Sequence, residues 1–377
     1  MKESFDQPPA SPQTHILIIG VGNYPFLNGG AEAKQQTFDG GQLLGQLSSP
    51  PVSAEAFYNA ALYLHKVEAW IRPLGSINLL VSAPATANNI FGGKTLEPAT
   101  IANIKQAYWD WKSECDANPD NVAIFYFCGH GLDKAEHYLL AEDFGRQPGN
   151  PWDGSFAFDM TRRAFFSCKA KTQLFFVDAC RQVTSDMLRT DLPANPIEPP
   201  DLRAKDCQFN LTQKAAAANE SAYGKKNDVS FYTKALIGAL KGNAVNNDIG
   251  EWRIATGALS HKMNGLLQLE APSEGYPQRC ISTTSDTADI IRFSGPPMVP
   301  VKVTCVPDNA LAYANLACVN ANTNQSETRG PQSQPWEISI KAGLYKIEAS
   351  FANGQFKPDA IVRPVMPPSV NQTLNCM

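Results

Sequence analysis

Two stretches of the chain are apolar without interruption, and they restrict the folds that it can adopt. Residues 121–128 read NVAIFYFC, and residues 173–179 read QLFFVDA. A strand with apolar side chains on both faces must be covered on both sides, as happens in a parallel sheet flanked by helices. The two runs therefore predict central strands of a three-layer domain.

Shorter β-type runs alternate with helical patterns through the rest of the first 293 residues. Such alternation indicates a mostly parallel sheet with helices on both faces, so the predicted fold class is α/β. The predicted strands cover residues 15–20, 77–82, 121–128, 173–179 and 208–217, and the predicted helices cover residues 52–72, 98–115, 231–241 and 256–269.

Composition and turn residues divide the chain into four segments. We expect residues 1–14 to be disordered and residues 15–293 to form the α/β domain. Proline and glycine residues predict a linker at residues 294–300. Beyond it, helical patterns give way to short alternating runs, which indicate that residues 301–377 form a small all-β domain of the sandwich type.

Charge and hydropathy exclude several classes of protein. The 32 Lys and Arg residues nearly balance the 36 Asp and Glu residues and form no basic cluster, so no nucleic-acid partner is expected. The apolar runs are too short to span a bilayer, and residues 1–14 lack the apolar core of a signal peptide. The nine cysteines are odd in number and have no disulfide-type spacing. We therefore expect a cytoplasmic protein with reduced thiols and no membrane contact.

A histidine and a cysteine directly follow the two apolar strands. His130 stands between two glycines after the first strand, and Cys180 follows the second. Because the carboxyl ends of parallel strands meet at one crevice, neighbouring strands would bring these residues together. An imidazole beside a thiol can take its proton and so produce a nucleophilic thiolate. The backbone N–H groups of Gly131 and Cys180 are candidate donors to an oxyanion.

The sequence around this pair resembles that of the caspase-like cysteine peptidases. The segments IFYFCGHG and LFFVDACRQ are similar to the two signatures of that family. The 50 positions that separate His130 from Cys180 match a spacing already known for caspases. ILIIGVGNYP resembles the first strand of the family, and SFYTKALIGALKG resembles the segment after the second signature. The resemblance covers residues 16–293 and leaves out the C-terminal domain.

The resemblance implies a cysteine endopeptidase that needs no metal or cofactor, with Cys180 as nucleophile and His130 as proton shuttle. Asp178 stands where caspases carry Gln, as in metacaspases, and a carboxylate there implies a preference for Arg or Lys at the cleaved position. By alignment, Ser53 replaces a second acidic residue of metacaspases, and Cys128 replaces a Ser. These three side chains, of Asp178, Cys128 and Ser53, are assigned to the pocket for that basic residue (the S1 pocket).

The resemblance also implies that a cytoplasmic peptidase of this kind is restrained. Arg189, Arg203 and Lys205 lie in the proline-rich loop after Cys180 and are candidate self-cleavage sites, so that cutting the loop would open the cleft. Prokaryotic relatives act in antiviral defence or programmed cell death. By resemblance we expect protein or peptide substrates and an activating protein partner or nucleotide-type signal.

Other functions stay open at this point. A pseudo-protease would use the caspase-like fold as a catalytically silent interaction module or scaffold. A hydrolase of the same fold would act on a non-peptide acyl bond. Cys128, His130 and Cys180 would supply three ligands of a zinc site, although their spacing is not that of a zinc motif and no fourth ligand is evident. His137 is interpreted as a strand-end residue without a special role.

Overall fold

A computed structural model describes most of the chain, and contacts divide it into two units. One unit comprises Met1–Lys241 and Ala255–Arg292, and the other comprises Gly242–Ile254 and Phe293–Met377. The structure describes residues 1–8, 11–33, 44–84, 90–93, 96–133, 136–147, 150–181, 194–201, 207–218, 220–247, 250–271, 278–352 and 354–377.

All five predicted strands and all four predicted helices of the first 293 residues are present, together with further short strands and one further α-helix among the described residues. The strands are β1 (Lys2–Ser4), β2 (Thr14–Val21), β3 (Leu74–Ser82), β4 (Val122–Gly129), β5 (Gly131–Asp133), β6 (His137–Leu140), β7 (Ser155–Ala157), β8 (Thr172–Ala179), β9 (Phe209–Lys214), β10 (Trp252–Ala255), β11 (Ile281–Thr284), β12 (Asp289–Phe293), β13 (Met298–Val306), β14 (Ala314–Asn320), β15 (Ser326–Arg329), β16 (Trp336–Lys341), β17 (Gly343–Phe351), β18 (Asp359–Val365) and β19 (Val370–Asn375). The helices are α1 (Ser49–Lys66), α2 (Ile101–Asp116), α3 (Phe158–Phe165), α4 (Phe231–Gly238) and α5 (Thr256–Glu270). Among the described helices, none has the length and apolar character needed to cross a membrane.

The central sheet of the first unit has the order β1-β3-β2-β4-β8-β9-β11. Its five inner strands pair in parallel, and the edge strands β1 and β11 pair antiparallel with their neighbours. The chain adds β3 on one side of β2 and then crosses over to add β4 on the other. This reversal of strand order opens a crevice at the carboxyl ends of β2 and β4, where α/β sheets bind their ligands.

Helices cover both faces of this sheet, which confirms the α/β three-layer prediction. Phe125 and Tyr126 are successive residues of β4, so their side chains point to opposite faces. The Tyr126 ring stacks on Phe57 of α1 with 4.4 Å between the ring centroids. The Phe125 ring lies 6.2 Å from Trp111 of α2. The two helices therefore pack on opposite faces.

The N-terminal residues differ from their expectation. Residues 1–14 are expected to be disordered, but Lys2–Ser4 form β1, with Lys2 opposite Asn78 of β3. Lys2 also pairs with Glu114 at 2.6 Å. The prediction of disorder is wrong for this strand, because the edge of β3 offers backbone partners that a local pattern of only three residues does not reveal.

The second unit contains two sheets with one core, in agreement with the predicted all-β domain. The sheets have the orders β16-β13-β19 and β15-β14-β17-β18. Buried and exposed residues alternate along β13 and β19, as expected where one face of each sheet packs inward. β13 begins at Met298, so the last residues of the expected linker belong to a strand. The core draws on both sheets and includes Val301, Val303, Leu316, Ile347 and Leu374.

We expect the face of α2 that packs on the sheet to contribute strongly to stability. Trp111 is fully buried, whereas its neighbour Trp109 is 45% exposed. Trp111→Ala should lower the free energy of unfolding by about 3–5 kcal/mol, because it leaves a cavity in the core. Trp109→Ala should lower it by about 1 kcal/mol or less. Urea unfolding followed by circular dichroism measures both, and equal losses would contradict this packing.

Candidate active site

The pairing of β4 with β8 determines where the two candidate catalytic residues lie. The strands pair in parallel through their last residues, with Cys128 opposite Asp178. Two positions further along each strand stand His130 and Cys180. Because parallel strands run in the same direction, both residues leave the sheet at the same edge.

A cavity of about 350 Å³ lies at this edge, and both His130 and Cys180 line it. Ser53 and Gly131, which the sequence assigns to the site, are not among the described residues that line the cavity. The lining comes from the ends of the two strands and from three further places in the chain, and comprises residues 46–50, 128–130, 178–180, 222–226 and 230.

Cys180 differs from the other eight cysteines in its exposure. All nine lie within the described ranges, and Cys180 is the one that is not buried. Its partial burial nevertheless raises the pKa of the Cys180 thiol. The backbone N–H of Ala222, 3.4 Å from Sγ, acts in the opposite direction because it favours the thiolate. The thiol is therefore protonated at neutral pH, and a base is needed to form the nucleophile.

The imidazole of His130 is oriented by a backbone carbonyl. Nε2 lies 2.8 Å from the carbonyl oxygen of Gly45, and that oxygen can only accept, so Nε2 carries a proton. Burial lowers the pKa of His130 to about 4, so the ring is neutral at pH 7. In a neutral ring with a proton on Nε2, Nδ1 is bare. His130 can therefore accept a proton at Nδ1.

Tyr24 contacts both the backbone and the ring of His130. The backbone N–H of His130 donates to the Tyr24 hydroxyl at 2.8 Å, and the two rings lie 4.8 Å apart. Neither Tyr24 nor Gly45 is identified from the sequence as a partner of His130, because both are more than 80 positions away from it. Tyr24 belongs to the ILIIGVGNYP segment, in which it has no assigned role. The one available signal is that Tyr24 follows the first strand at the same edge of the sheet.

Asp178 lines the cavity beside Cys128 and Ala179. It is 3% exposed, and its Oδ2 accepts hydrogen bonds from Ser230 Oγ and, at 2.6 Å, from Thr233 Oγ1. Burial raises the pKa of this carboxyl group, while the donors Ser230, Thr233 and Cys128 act against the rise. All three donors are neutral. The carboxylate therefore has hydrogen-bond partners but no cation among these contacts.

Ser53 acts on the cavity through a neighbour. It is fully buried, and its Oγ accepts the backbone N–H of Ser230 at 3.0 Å. Ser230 lines the cavity, and its hydroxyl donates to the Asp178 carboxylate. Ser53 therefore positions Ser230, and Ser230 in turn positions Asp178. Ser230 is not identified from the sequence. The available signal is its position directly before the helix of the SFYTKALIGALKG segment.

Gly131 packs closely against the backbone of Cys180. A Cβ atom at this position would lie 2.6 Å from the carbonyl oxygen of Cys180, which leaves no room for a side chain. The assignment of its N–H group to an oxyanion site stays a prediction. The candidate self-cleavage residues Arg189, Arg203 and Lys205 lie outside the described residues.

Cys128 lines the cavity beside Asp178, and its assignment to the S1 pocket stays a prediction. Its thiol is buried, which raises its pKa, and it contacts the Asp178 carboxyl group. Within the described ranges, no group of three His, Cys, Asp or Glu residues is arranged to hold a metal ion. The structure therefore offers no support for the zinc alternative at Cys128, His130 and Cys180.

A family comparison covers the strands and the cavity described above. The model of the caspase domain, peptidase family C14, matches residues 14–257. The chain belongs to this family. The match includes His130, Cys180 and Asp178, and it ends before strands β13 to β19.

Two further similarities concern proteins without a stated activity. The caspase-domain chain is 35% identical over 210 residues to an uncharacterized protein, y4kE, of Sinorhizobium fredii. That match covers 53% of this chain and 54% of the relative, so the chain spans about half the relative's length. The crystal structure of protein GSU0716 from Geobacter sulfurreducens is 15% identical, with 74% of this chain and 95% of that chain covered and a TM-score of 0.44.

The lowered pKa of the half-buried His130 ring predicts how the stability of this caspase-domain protein depends on pH. Its pKa of about 4 lies below the ordinary histidine value of 6.5, so the unfolded state binds more protons between these values. The free energy of unfolding should therefore fall as the pH drops from 6.5 to 4. His130→Gln should reduce the slope of the unfolding free energy against pH by the contribution of at most one proton. Urea unfolding at several pH values measures this slope.

The matched control is His261→Gln. His261 is an exposed histidine of α5, and its replacement measures the effect of removing a histidine from the surface. An identical slope in wild type and His130→Gln would contradict the burial of the neutral His130 ring.

Proposed function

We propose that the protein is a cysteine endopeptidase in which Cys180 is the nucleophile and His130 is the proton shuttle. The observation that carries this proposal is the register of β4 and β8, which brings both residues to one cavity. The exposure of Cys180, alone among nine thiols, supports the same assignment.

The protonation states suggest the order of steps. The Cys180 thiol is protonated at rest, and His130 is neutral with a bare Nδ1. Nδ1 takes the proton as Sγ attacks the carbonyl carbon of the substrate and a C–S bond forms. The resulting imidazolium then protonates the leaving amine as the C–N bond breaks. Water then attacks the acyl-enzyme carbonyl carbon while Nδ1 of His130 takes a proton from the water. The C–S bond breaks, and His130 returns the proton to Sγ. The N–H groups of Gly131 and Cys180 are the proposed oxyanion donors.

The pocket suggests which side chain the substrate presents. Asp178 is a buried carboxylate whose contacts are neutral hydroxyl and thiol groups. A substrate Arg or Lys would supply the opposite charge through charge-assisted hydrogen bonds. We therefore propose cleavage after Arg or Lys, with Cys128 and Ser230 forming walls of the pocket.

Control of this activity stays a prediction that rests on the resemblance. It includes self-cleavage in the loop after Cys180, activation by a protein partner or nucleotide-type signal, and a role in antiviral defence or programmed cell death. A location in the cytoplasm is likewise a prediction from the sequence.

Cys180→Ala should reduce cleavage of fluorogenic peptides to background, because it removes the nucleophile. The peptides carry Arg, Lys, Asp or Leu at the cleaved position, and cleavage of the Arg or Lys peptide is expected from the wild type. Cys168→Ala, which changes a buried thiol, should keep the activity. Iodoacetamide should label Cys180 before the other thiols. Cleavage by Cys180→Ala, or a wild type that cleaves none of the peptides, would contradict the proposal.

Asp178→Asn should lower kcat/KM for an Arg peptide by about 10- to 100-fold, since it removes a charged hydrogen-bond partner. A peptide with citrulline, the neutral analogue of Arg, is the matched control and should be affected much less. The comparison uses the ratio of the two kcat/KM values in wild type and variant. An unchanged ratio would show that Asp178 does not select the basic residue.

A further inference from the structure

His137 contacts the backbone of Cys180 and is not among the described residues that line the cavity. Its Nε2 lies 3.1 Å from the carbonyl oxygen of Cys180, and its side chain is fully buried. Because a carbonyl oxygen can only accept, Nε2 must carry the proton and donate it. The sequence interpretation assigns His137 no special role.

The protonation state of His137 is fixed by its surroundings. Burial is the main cause that lowers the pKa of His137 to about 3, and the positive charge of Lys214 is the second cause. The ring is therefore neutral throughout the pH range in which a peptidase works. With the proton on Nε2, Nδ1 is an acceptor. Nδ1 is buried and has no hydrogen-bond partner among the residues that the structure describes. Donation to Cys180 is therefore the polar contact through which this ring acts.

The imidazole is held in place independently of Cys180. The backbone N–H of His137 donates to Asp159 Oδ2 at 3.1 Å, and Asp159 is paired with Lys214 at 2.7 Å. The Phe158 ring packs against the imidazole edge-to-face, with 6.2 Å between the centroids. His137 can therefore act as a fixed support against which the Cys180 carbonyl is positioned.

The peptide unit after Cys180 is held at both of its polar groups. His137 binds its carbonyl oxygen, and its N–H group, from Arg181, donates to the carbonyl of Glu220 at 3.0 Å. The Arg181 side chain also pairs with Asp133 in β5 at 2.7 Å. Strand β8 fixes the chain on the other side of Cys180. With the backbone fixed on both sides, the thiol retains only rotation about χ1.

Gly131 leaves the space that this contact needs. A Cβ atom there would lie 2.6 Å from His137 Nε2 and 2.6 Å from the carbonyl oxygen of Cys180. Both distances are far shorter than a van der Waals contact. The histidine, the glycine and the cysteine carbonyl therefore form one closely packed group behind the nucleophile.

We propose that His137 is a positioning residue for Cys180: its Nε2–H holds the Cys180 carbonyl and thereby sets the directions of the thiol and of the Cys180 N–H group. The inference rests on the proposed function of Cys180 as the nucleophile. His137 is not among the described residues that line the cavity, so it has no contact with substrate there. Loss of the donor should affect the chemical step and leave substrate binding unchanged.

The test compares variants that differ in whether their side chain reaches the carbonyl. Gln places an N–H group near the position of Nε2, whereas Asn is too short and Leu has no donor. We expect His137→Leu and His137→Asn to lower kcat for an Arg peptide by about 100-fold, the loss typical of a nucleophile displaced by about 1 Å. KM should stay within about twofold of wild type. His137→Gln should recover most of kcat.

A second measurement does not depend on peptide cleavage. The rate of alkylation of Cys180 by iodoacetamide is followed against pH in the full-length chain. A displaced thiol loses the Ala222 N–H, so the pH at half-maximal rate should rise in His137→Leu and His137→Asn and return towards wild type in His137→Gln. His261→Gln should leave both measurements unchanged. Thermal unfolding identifies any variant that fails to fold.

The outcomes separate the two proposals. Folded Leu and Asn variants with wild-type kcat and alkylation profiles would overturn the positioning role. So would a folded Gln variant no better than these two. A wild type that cleaves none of the peptides would contradict the proposed function, while an alkylation profile that shifts in the Leu and Asn variants would still support the positioning of Cys180 by His137.

Discussion

The parallel pairing of β4 with β8 is the constraint on which the site depends. Cys128 lies opposite Asp178, and His130 and Cys180 follow two positions later, directly after the last residues of the two strands. A shift of one residue in this register would move each side chain to the other face of the sheet. The stacked aromatic layers on both faces resist such a shift, since each would lose its apolar cover. The core of the sheet thereby determines the geometry of a reactive pair at its edge.

Beyond this register, the site is organised by backbone groups and neutral hydrogen bonds. His130 is oriented by the Gly45 carbonyl, and Cys180 by the ring of His137. Asp178 is held by two hydroxyl groups, and one of these, of Ser230, depends on Ser53. Such contacts fix side chains without adding charge to the cavity. The charged residues of the cavity lining are then the Asp178 carboxylate and the exposed Lys225 and Lys226.

The sequence is sufficient for the five parallel strands of the sheet and for the reactive pair, and insufficient for the two edge strands and for the residues that support the pair. Uninterrupted apolar runs identify β4 and β8, and the residues after them form recognisable motifs. Gly45 and His137 are in no motif, and Tyr24 has no assigned role in the ILIIGVGNYP segment that contains it. Their contacts join strand ends and loops that only the folded chain brings together. Strand β1 was missed for a similar reason, since three residues carry no periodic signal and depend on the edge of β3.

The close packing around Gly131 also affects how relatives of this chain can be compared. The position excludes a Cβ atom because a carbonyl oxygen and an imidazole nitrogen occupy the space. That requirement comes from packing and would persist in a homologue that had lost its nucleophilic thiol but kept the loop. A glycine after the histidine is therefore a marker of this loop's shape, and its retention during divergence is no sign that a homologue still has activity.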